Sequence, residues 1–513
     1  MEERTKSFYS LITSFALLIT RLFFKKERIS ASFAIAQWLF FKTLGIVYGI
    51  AFLSLFFQIS GLIGRNGILP ISNLLPTLLE NLGPKVFLLF PTIAWLNTSD
   101  LFLHILTLGG FALSFFVIAR KASPRILALL WFLYLSLLTI GQVFLSFQWD
   151  ILLLEIGFLA IFLPFTPKII WLFRFLLFKL IFLSGAVKLL SQDITWKNLT
   201  ALNFHYQTQP LPTPLAWYMH QLPEWFQRFS VGFTFFVELG IVFLIFAPRR
   251  LRLFGAFFLF ILQILILLTG NYTFFNLLTL MLILFLLDDA FLSRFSPKKL
   301  KETIQKTPLI QNITKPGKIT LTLLFAFLVL LGVLNMSSVF FGALPQPLKG
   351  IVNAARPFHI SNTYGLFAIM TITRPEIIIE GSNDEKNWIE YKFKYKPGDL
   401  SQPPYFVAPY QPRLDWQMWF AALHAQRALE NKVERGKYNL WFINFTARLL
   451  EGSPQVLKLL DKNPFPENPP IYIRALLYEY EFTDFNEKGE TGNWWKRELK
   501  EVYLPSVSLA DFK

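Results

Sequence analysis

Apolar runs long enough to cross a bilayer fill the first two thirds of the chain, and alternating strand patterns with amphipathic helices follow them. A spanning helix needs roughly 20 apolar residues. Stretches of that kind lie at about 32–58, 101–119, 126–147, 151–165, 169–190, 230–247, 251–269, 272–287 and 319–341, which predicts nine crossings. The fourth and eighth are short, as a tilted or re-entrant element would be. Residues 8–24 are apolar as well, but Lys25, Lys26 and Arg28 close them and no small-residue cleavage site follows. They read as an interfacial helix in preference to an uncleaved signal-like segment.

Past residue 341 the period changes. In "EIIIEGSNDEKNWIEYKFKY" (376–395) a β-branched run precedes a polar turn and then strict alternation. Ile389, Tyr391, Phe393 and Tyr395 share one face, so the stretch reads as a hairpin with one buried side. "YEYEF" (478–482) and "WWKRELKEVYL" (494–504) flank a second polar turn and predict another hairpin. Residues 415–431 and 437–460 carry helical spacing. The expected fold is a polytopic α-helical membrane domain (32–341) behind an N-terminal segment (1–31). A mixed, β-rich domain (342–513) follows, a β-sandwich with helical insertions.

Charge orients these parts. The 513 residues carry a formal charge of +16. Residues 342–513 hold 21 Lys+Arg against 20 Asp+Glu, and residues 1–341 hold 28 against 13. A soluble basic patch would suggest nucleic acid; between apolar spans the excess is better read as topology. With 25–31 in the cytoplasm, the loops on that side carry Arg120, Lys121 and Arg125, then Lys168, then Arg249, Arg250 and Arg252, then a basic run from Arg294 to Lys318. The opposite loops carry only Arg65 and Lys85, then Lys197 and Arg228. An odd number of spans then puts 342–513 outside a bacterial inner membrane or in an endoplasmic reticulum lumen. The chain has no cysteine, which excludes thiol catalysis, Cys-ligated metals and intrinsic disulfide exchange.

Charges inside spans cost about 2.5–3.5 kcal/mol each on insertion scales, so each asks for a partner or a role. "FQWDILLLE" supplies Gln148, Asp150 and Glu155; Arg174, Lys179, Lys188 and Glu238 follow. Asp150 and Glu155 stand about 140° apart around a helix, so they are no paired-carboxylate site. Arg174 and Lys188 share a face but lie roughly 21 Å apart. Ion pairs of Glu155 with Arg174 or Lys179 are the simpler alternative to catalysis, with Asp150 at the outer interface. His205 could act as a general base or a ligand, or belong to a loop pinned by Pro210, Pro212 and Pro214. No P-loop, HExxH, nucleophile elbow or paired-His spacing is present, so no catalytic residue, metal or cofactor is assigned.

One stretch, "VAPYQPRLDWQMWFAAL" (407–423), stands out. Asp415 suits a helix start, and Trp416, Trp419, Phe420 and Leu423 recur on one face. With Tyr405, Tyr410 and Arg413, the group could be a packed helix or a docking surface, because aromatics beside arginine are common at interfaces.

Five long segments together resemble the lipase maturation factor family. They are "FLSFQWDILLLEIGFLAIFLP" (144–164), "LTALNFHYQTQPLPTPLAWYMHQLPEWFQRF" (199–229), "NTYGLFAIMTITRPEIIIEGSNDEKNWIEYKFKYKPGDL" (362–400), "PPYFVAPYQPRLDWQMWFAAL" (403–423) and "ETGNWWKRELKEVYLP" (490–505). The resemblance runs from about residue 32 to 505. It implies a multi-pass membrane protein, in the endoplasmic reticulum of eukaryotes, that helps secreted dimeric lipases fold and assemble. It favours docking of a lipase-like client at Tyr405, Tyr410, Arg413, Asp415, Trp416 and Trp419. Without cysteines, any redox contribution needs a redox or chaperone partner. Phe- and Lys-rich usage suggests a bacterial-type homologue. The competing expectation is an intramembrane enzyme acting on a lipid or quinone-like substrate, distantly like vitamin K-dependent carboxylases in architecture. A transporter ranks last, because no inverted repeat or pair of broken spans is visible.

Overall fold

Among the described residues, six helices are long and apolar enough to cross a membrane: α1 (Ala34–Phe56), α2 (Asp100–Ile118), α5 (Ile169–Leu190), the α6 unit (Glu224–Phe246), α7 (Arg249–Thr269) and α9 (Lys315–Phe341). They belong to a computed structural model that describes residues 32–119, 122–298, 302, 304, 314–430 and 438–512. The apolar segment expected at 8–24 lies outside the described residues.

Three predicted spans form shorter helices: α3 (Pro124–Ile140), α4 (Gln148–Phe162) and α8 (Phe275–Ile283), the last prolonged by a 3₁₀ turn at Leu284–Leu286. At 1.5 Å per residue they measure about 26, 23 and 14 Å, less than the ~30 Å hydrocarbon core. The physical reason lies in their connections. Residues 141–147 and 270–274 turn inward to meet the C-terminal domain, which shortens the helices that flank them.

Capping accounts for several helix starts. Ser99, Ser123 and Thr314 accept from backbone amides of the first turns of α2, α3 and α9. The start of α1 has no side-chain cap of its own; Asp289 supplies one from 254 residues away, accepting from Ala34 N and Ile35 N at 2.9 Å each. Helix α5 is the centre of the bundle, with 89% of its apolar window buried against 33% for α2, α6 and α7. A helix enclosed by protein can carry three cations because other helices, not lipid, surround them.

Among the described residues the C-terminal domain holds one antiparallel sheet in the order β2-β1-β3-β4, made of β1 (Pro375–Ser382), β2 (Ile389–Glu390), β3 (Tyr472–Phe482) and β4 (Trp495–Ser508). Both predicted hairpins form. The first is short, since β2 holds only two residues before Lys392 leaves to bridge Lys462. The second runs the length of β3 and is turned by a helix at Phe485–Thr491 with an Asp484–Glu487 capping box. The expected sandwich is corrected: among the described residues the sheet is backed by helices α10 (Arg413–Glu430) and α11 (Leu440–Leu450). Small residues explain the substitution of helix for sheet. Ala421, Ala422 and Ala425 are fully buried on α10, so its axis can lie close against β1. The helix predicted over 437–460 divides, because Gly452 takes φ +65° and Pro454 starts a new turn.

The two domains share one apolar core. Four connections of the bundle reach the C-terminal domain. Asn66 and Gly67 accept from Ser453 and Arg448, and Phe144 accepts from Arg413. Gln221 donates to Thr483, and Asn271 donates to Tyr405.

Candidate functional site

The 403–423 segment lies in the seam between the domains. Pro412 and the polar turn before it bring Arg413 to the first position of α10, where its side chain points at the start of α4. Its guanidinium grips Asp150 with two parallel bonds, Nη1 to Oδ2 at 3.1 Å and Nη2 to Oδ1 at 3.0 Å, and Nη1 also donates to Phe144 O at 2.6 Å. Tyr134 adds a hydroxyl to Asp150 Oδ1 at 2.5 Å. Both charges of this pair are fully buried. The forked geometry uses what arginine has and lysine lacks.

The aromatic residues of the segment are buried with it. Trp416 stacks edge-on against Trp149 at 4.7 Å between centroids, and Trp419 Nε1 donates to Thr208 O at 2.9 Å. Asp415 Oδ1 accepts from Tyr395 N and Lys396 N, both at 2.9 Å, tying the end of the first hairpin to α10. Burial pushes the Asp415 carboxyl up to about 6, against the opposing pull of those two amides and of Lys396. Arg413, Asp415, Trp416 and Trp419 are therefore buried where the two domains meet. Tyr410 is half-buried, and Tyr405 is 37% exposed beside Phe406 at 59%.

The intramembrane charges resolve into separate pairs. Glu155 on α4 meets Lys179 on α5 at 2.5 Å. It also accepts from Tyr364 Oη at 2.9 Å and from Asn362 N at 2.9 Å, so this pair also holds the segment leading into β1. Lys188 meets Glu238 at 2.6 Å, where the α6 unit changes from α-helix to a π-turn at Phe236–Gly240 and then to 3₁₀. Insertions of that kind are frequent at functional positions. Arg174 turns instead to Phe285 O at 3.0 Å. Gln148 is half-buried in the first turn of α4. Asp150 and Glu155 serve different partners, as their helical angle requires.

His205 shares Tyr272 Oη, 3.0 Å away, with Gln209. Burial, reinforced by the charge of Lys188, lowers its imidazole to about 4, so it is neutral at physiological pH. Among the described residues no group of three or more His, Asp or Glu side chains is arranged to hold a metal ion.

Two residues that sequence reasoning passed over hold the seam together. Arg374, fully buried just before β1, donates to the carbonyls of Gln207 (2.6 Å), Gln209 (2.5 Å) and Pro210 (2.9 Å) and pairs with Glu376 at 2.9 Å. Asn271 joins the loop at Leu211 and Pro212 to the C-terminal domain: its Nδ2 donates to Leu211 O at 3.0 Å, Pro212 O at 3.2 Å and Tyr405 O at 2.7 Å, and its Oδ1 accepts from Val407 N at 2.7 Å and Ala408 N at 3.0 Å. The only sequence signal for Arg374 is an arginine directly ahead of a buried apolar run.

The architecture is that of an integral membrane helix bundle fused through buried polar contacts to an α+β domain. Two family models match it in order: the lipase maturation factor transmembrane domain over residues 35–294 and the lipase maturation factor C-terminal domain over residues 360–505. The chain is 36% identical to lipase maturation factor 2 of Gallus gallus, over 92% of this chain and 81% of that one. It is 35% identical to lipase maturation factor 2 of Homo sapiens, over 92% and 82%. It is 33% identical to lipase maturation factor 1 of Bos taurus, over 94% and 91%. The chain belongs to the lipase maturation factor family. These relatives are vertebrate proteins and lend no support to the bacterial source suggested by Phe and Lys usage. No solved structure matches the chain.

Proposed function

We propose that the protein is a membrane-anchored maturation factor for secreted lipases, with residues 32–341 as anchor and residues 342–513 as client platform. Likeness to lipase maturation factors 1 and 2 along nearly the whole chain carries this reading. The platform lies outside the cytoplasm, in the compartment where exported chains emerge. Two patterns support that placement: the connections that touch the C-terminal domain are those poor in Lys and Arg, and they alternate with basic ones as nine crossings require.

The client surface is the free edge of β4. Residues 496–500 are exposed in succession, and Leu499 and Val502 are each half-exposed. No strand lies beyond β4 among the described residues. An unpaired edge offers main-chain hydrogen bonds to an extended segment of an unfinished chain. Tyr405 and Phe406 present the second exposed aromatic surface, and Tyr410 is half-buried against Tyr395. The platform works by holding its client, and any redox step falls to a separate partner.

The test is co-expression of the full chain with a dimeric secreted lipase. The native chain raises secreted lipase activity, and Leu499→Lys with Val502→Lys abolishes the gain while leaving the unfolding midpoint unchanged. A double variant as effective as the native chain removes β4 as the client surface. No gain from the native chain removes the lipase assignment itself.

A further inference from the structure

A cavity of about 440 Å³ opens beside α5, bounded by the loop 191–229, the α6 unit, α7 and the start of α8. Its volume falls within the range of small-molecule sites. The lining is not uniform. Lys188, His205, Tyr272 and Asn276 sit at the end of the bundle beneath the C-terminal domain, while Ile181, Phe233 and Leu262 line the part toward the membrane middle.

The rim is apolar and exposed. Leu215, Phe229, Leu265 and Leu268 all line the cavity and are between 38% and 64% exposed. They lie on or beside membrane helices whose outward faces carry further exposed phenylalanines, among them Phe236, Phe257 and Phe260. A mouth built this way faces acyl chains, so its natural visitor is a membrane lipid.

The interior polar groups define the head. Lys188 and Glu238 neutralise each other, so neither is left to attract an ion. His205 and Tyr272 bond to each other. Asn276 is the exception: it is 1% exposed, its Nδ2 donates to Gln263 Oε1 at 3.0 Å, and its Oδ1 has no partner. A buried amide oxygen without a donor is destabilising, and a ligand hydroxyl would satisfy it. A hydroxyl donates and accepts, so it answers the amide in either orientation. A phosphate head would have to shed its water beside a lysine already neutralised by its glutamate.

We propose that this cavity binds a neutral membrane lipid with a free hydroxyl head, of the diacylglycerol or long-chain alcohol class. Its hydroxyl bonds Asn276 and its tail passes out between α6 and α7. No chemistry on the lipid is implied.

The test uses the full chain in phosphatidylcholine nanodiscs with two photoactivatable probes of identical tails, a dioleoylglycerol and a dioleoylphosphatidylcholine. The dioleoylglycerol probe labels residues of α6 and α7, and unlabelled dioleoylglycerol displaces it. Ser230→Trp, which fills the cavity, abolishes that labelling. Asn276→Leu, close in size, weakens it about tenfold, the effect of losing one buried hydrogen bond. Equal labelling by both probes, labelling that survives Ser230→Trp, or undiminished affinity in Asn276→Leu overturns the proposal. If Ser230→Trp fails to fold, the probe comparison and Asn276→Leu still decide it.

Discussion

Single residues carry the seam, and two of them make opposite predictions about buried charge. Arg413 and Asp150 form a pair without solvent contact. Removing one member strands the other, so Arg413→Met should lower stability by about 3–5 kcal/mol. Replacing both, with Arg413→Met and Asp150→Leu, should recover most of that loss in detergent unfolding of the full chain. A double variant no better than the single one would mean that Tyr134 and Phe144, not the pair, set the cost. Asp415 behaves differently. Its folded value of about 6 lies above the ordinary ~3.9, so the folded state keeps a proton that the unfolded chain releases. Stability therefore falls as pH rises from about 4 to about 6, by an amount of order 3 kcal/mol. Asp415→Asn keeps the oxygen that binds Tyr395 N and Lys396 N and should flatten that slope. Asp415→Ala should flatten the slope as well and be less stable than Asp415→Asn by about 1–3 kcal/mol at every pH, because it leaves two amides unpaired. From the sequence these residues could be recognised as needing partners. Which partner each would find could not: Arg413 and Asp150 are 263 positions apart, and no local period links them.

Elements were legible where one face is apolar and the other wet. The β3–β4 hairpin follows directly from alternation and a polar turn. The seam helix α10 was visible as a helix, but its aromatic face suited a core and an interface equally, and tertiary packing alone decides between them. Spans α3 and α8 come out shorter than expected for a related reason. Apolar runs continue past the point where backbone polar groups turn to meet another domain, so composition alone overstates the helix. Close helix pairs offer a sharper test. In "GIVYG", Gly45 and Gly49 of α1 lie four apart and face Ser114 and Ile118 of α2, the small-residue spacing that lets membrane helices approach. A Cβ at Gly45 would stand 3.0 Å from Ser114 O and from Ile118 N, backbone atoms that cannot move aside. Gly45→Ala should destabilise by about 1–3 kcal/mol. Gly109 on α2 has open space around its missing Cβ, so Gly109→Ala should gain up to about 1 kcal/mol of helix propensity. Equal midpoints for the two variants would remove close packing of α1 on α2 as a source of stability.

At the scale of the whole molecule, membrane topology and interdomain packing constrain each other. Basic residues gather in the connections 120–125, 163–168, 247–252 and 288–318, and the C-terminal domain bonds to the connections between them. If all nine helices cross, the turn at Asn66 and Gly67, the 191–223 loop and the C-terminal domain share one face and the basic loops share the other, which the positive-inside pattern would make the cytoplasmic one. The decisive measurement is a protein that fluoresces only in cytosol, fused after Lys513. It should stay dark, while fusions ending after Ala122 and after Pro248 should be bright. Because α4 and α8 are short, the pattern also distinguishes span counts. Loss of one of them as a crossing would invert everything downstream and light the Lys513 fusion, whereas loss of both would keep it dark but reverse the Pro248 fusion. A dark Lys513 fusion with a bright Pro248 fusion is the outcome that nine crossings require, and it would place the β4 edge where a newly exported lipase can meet it.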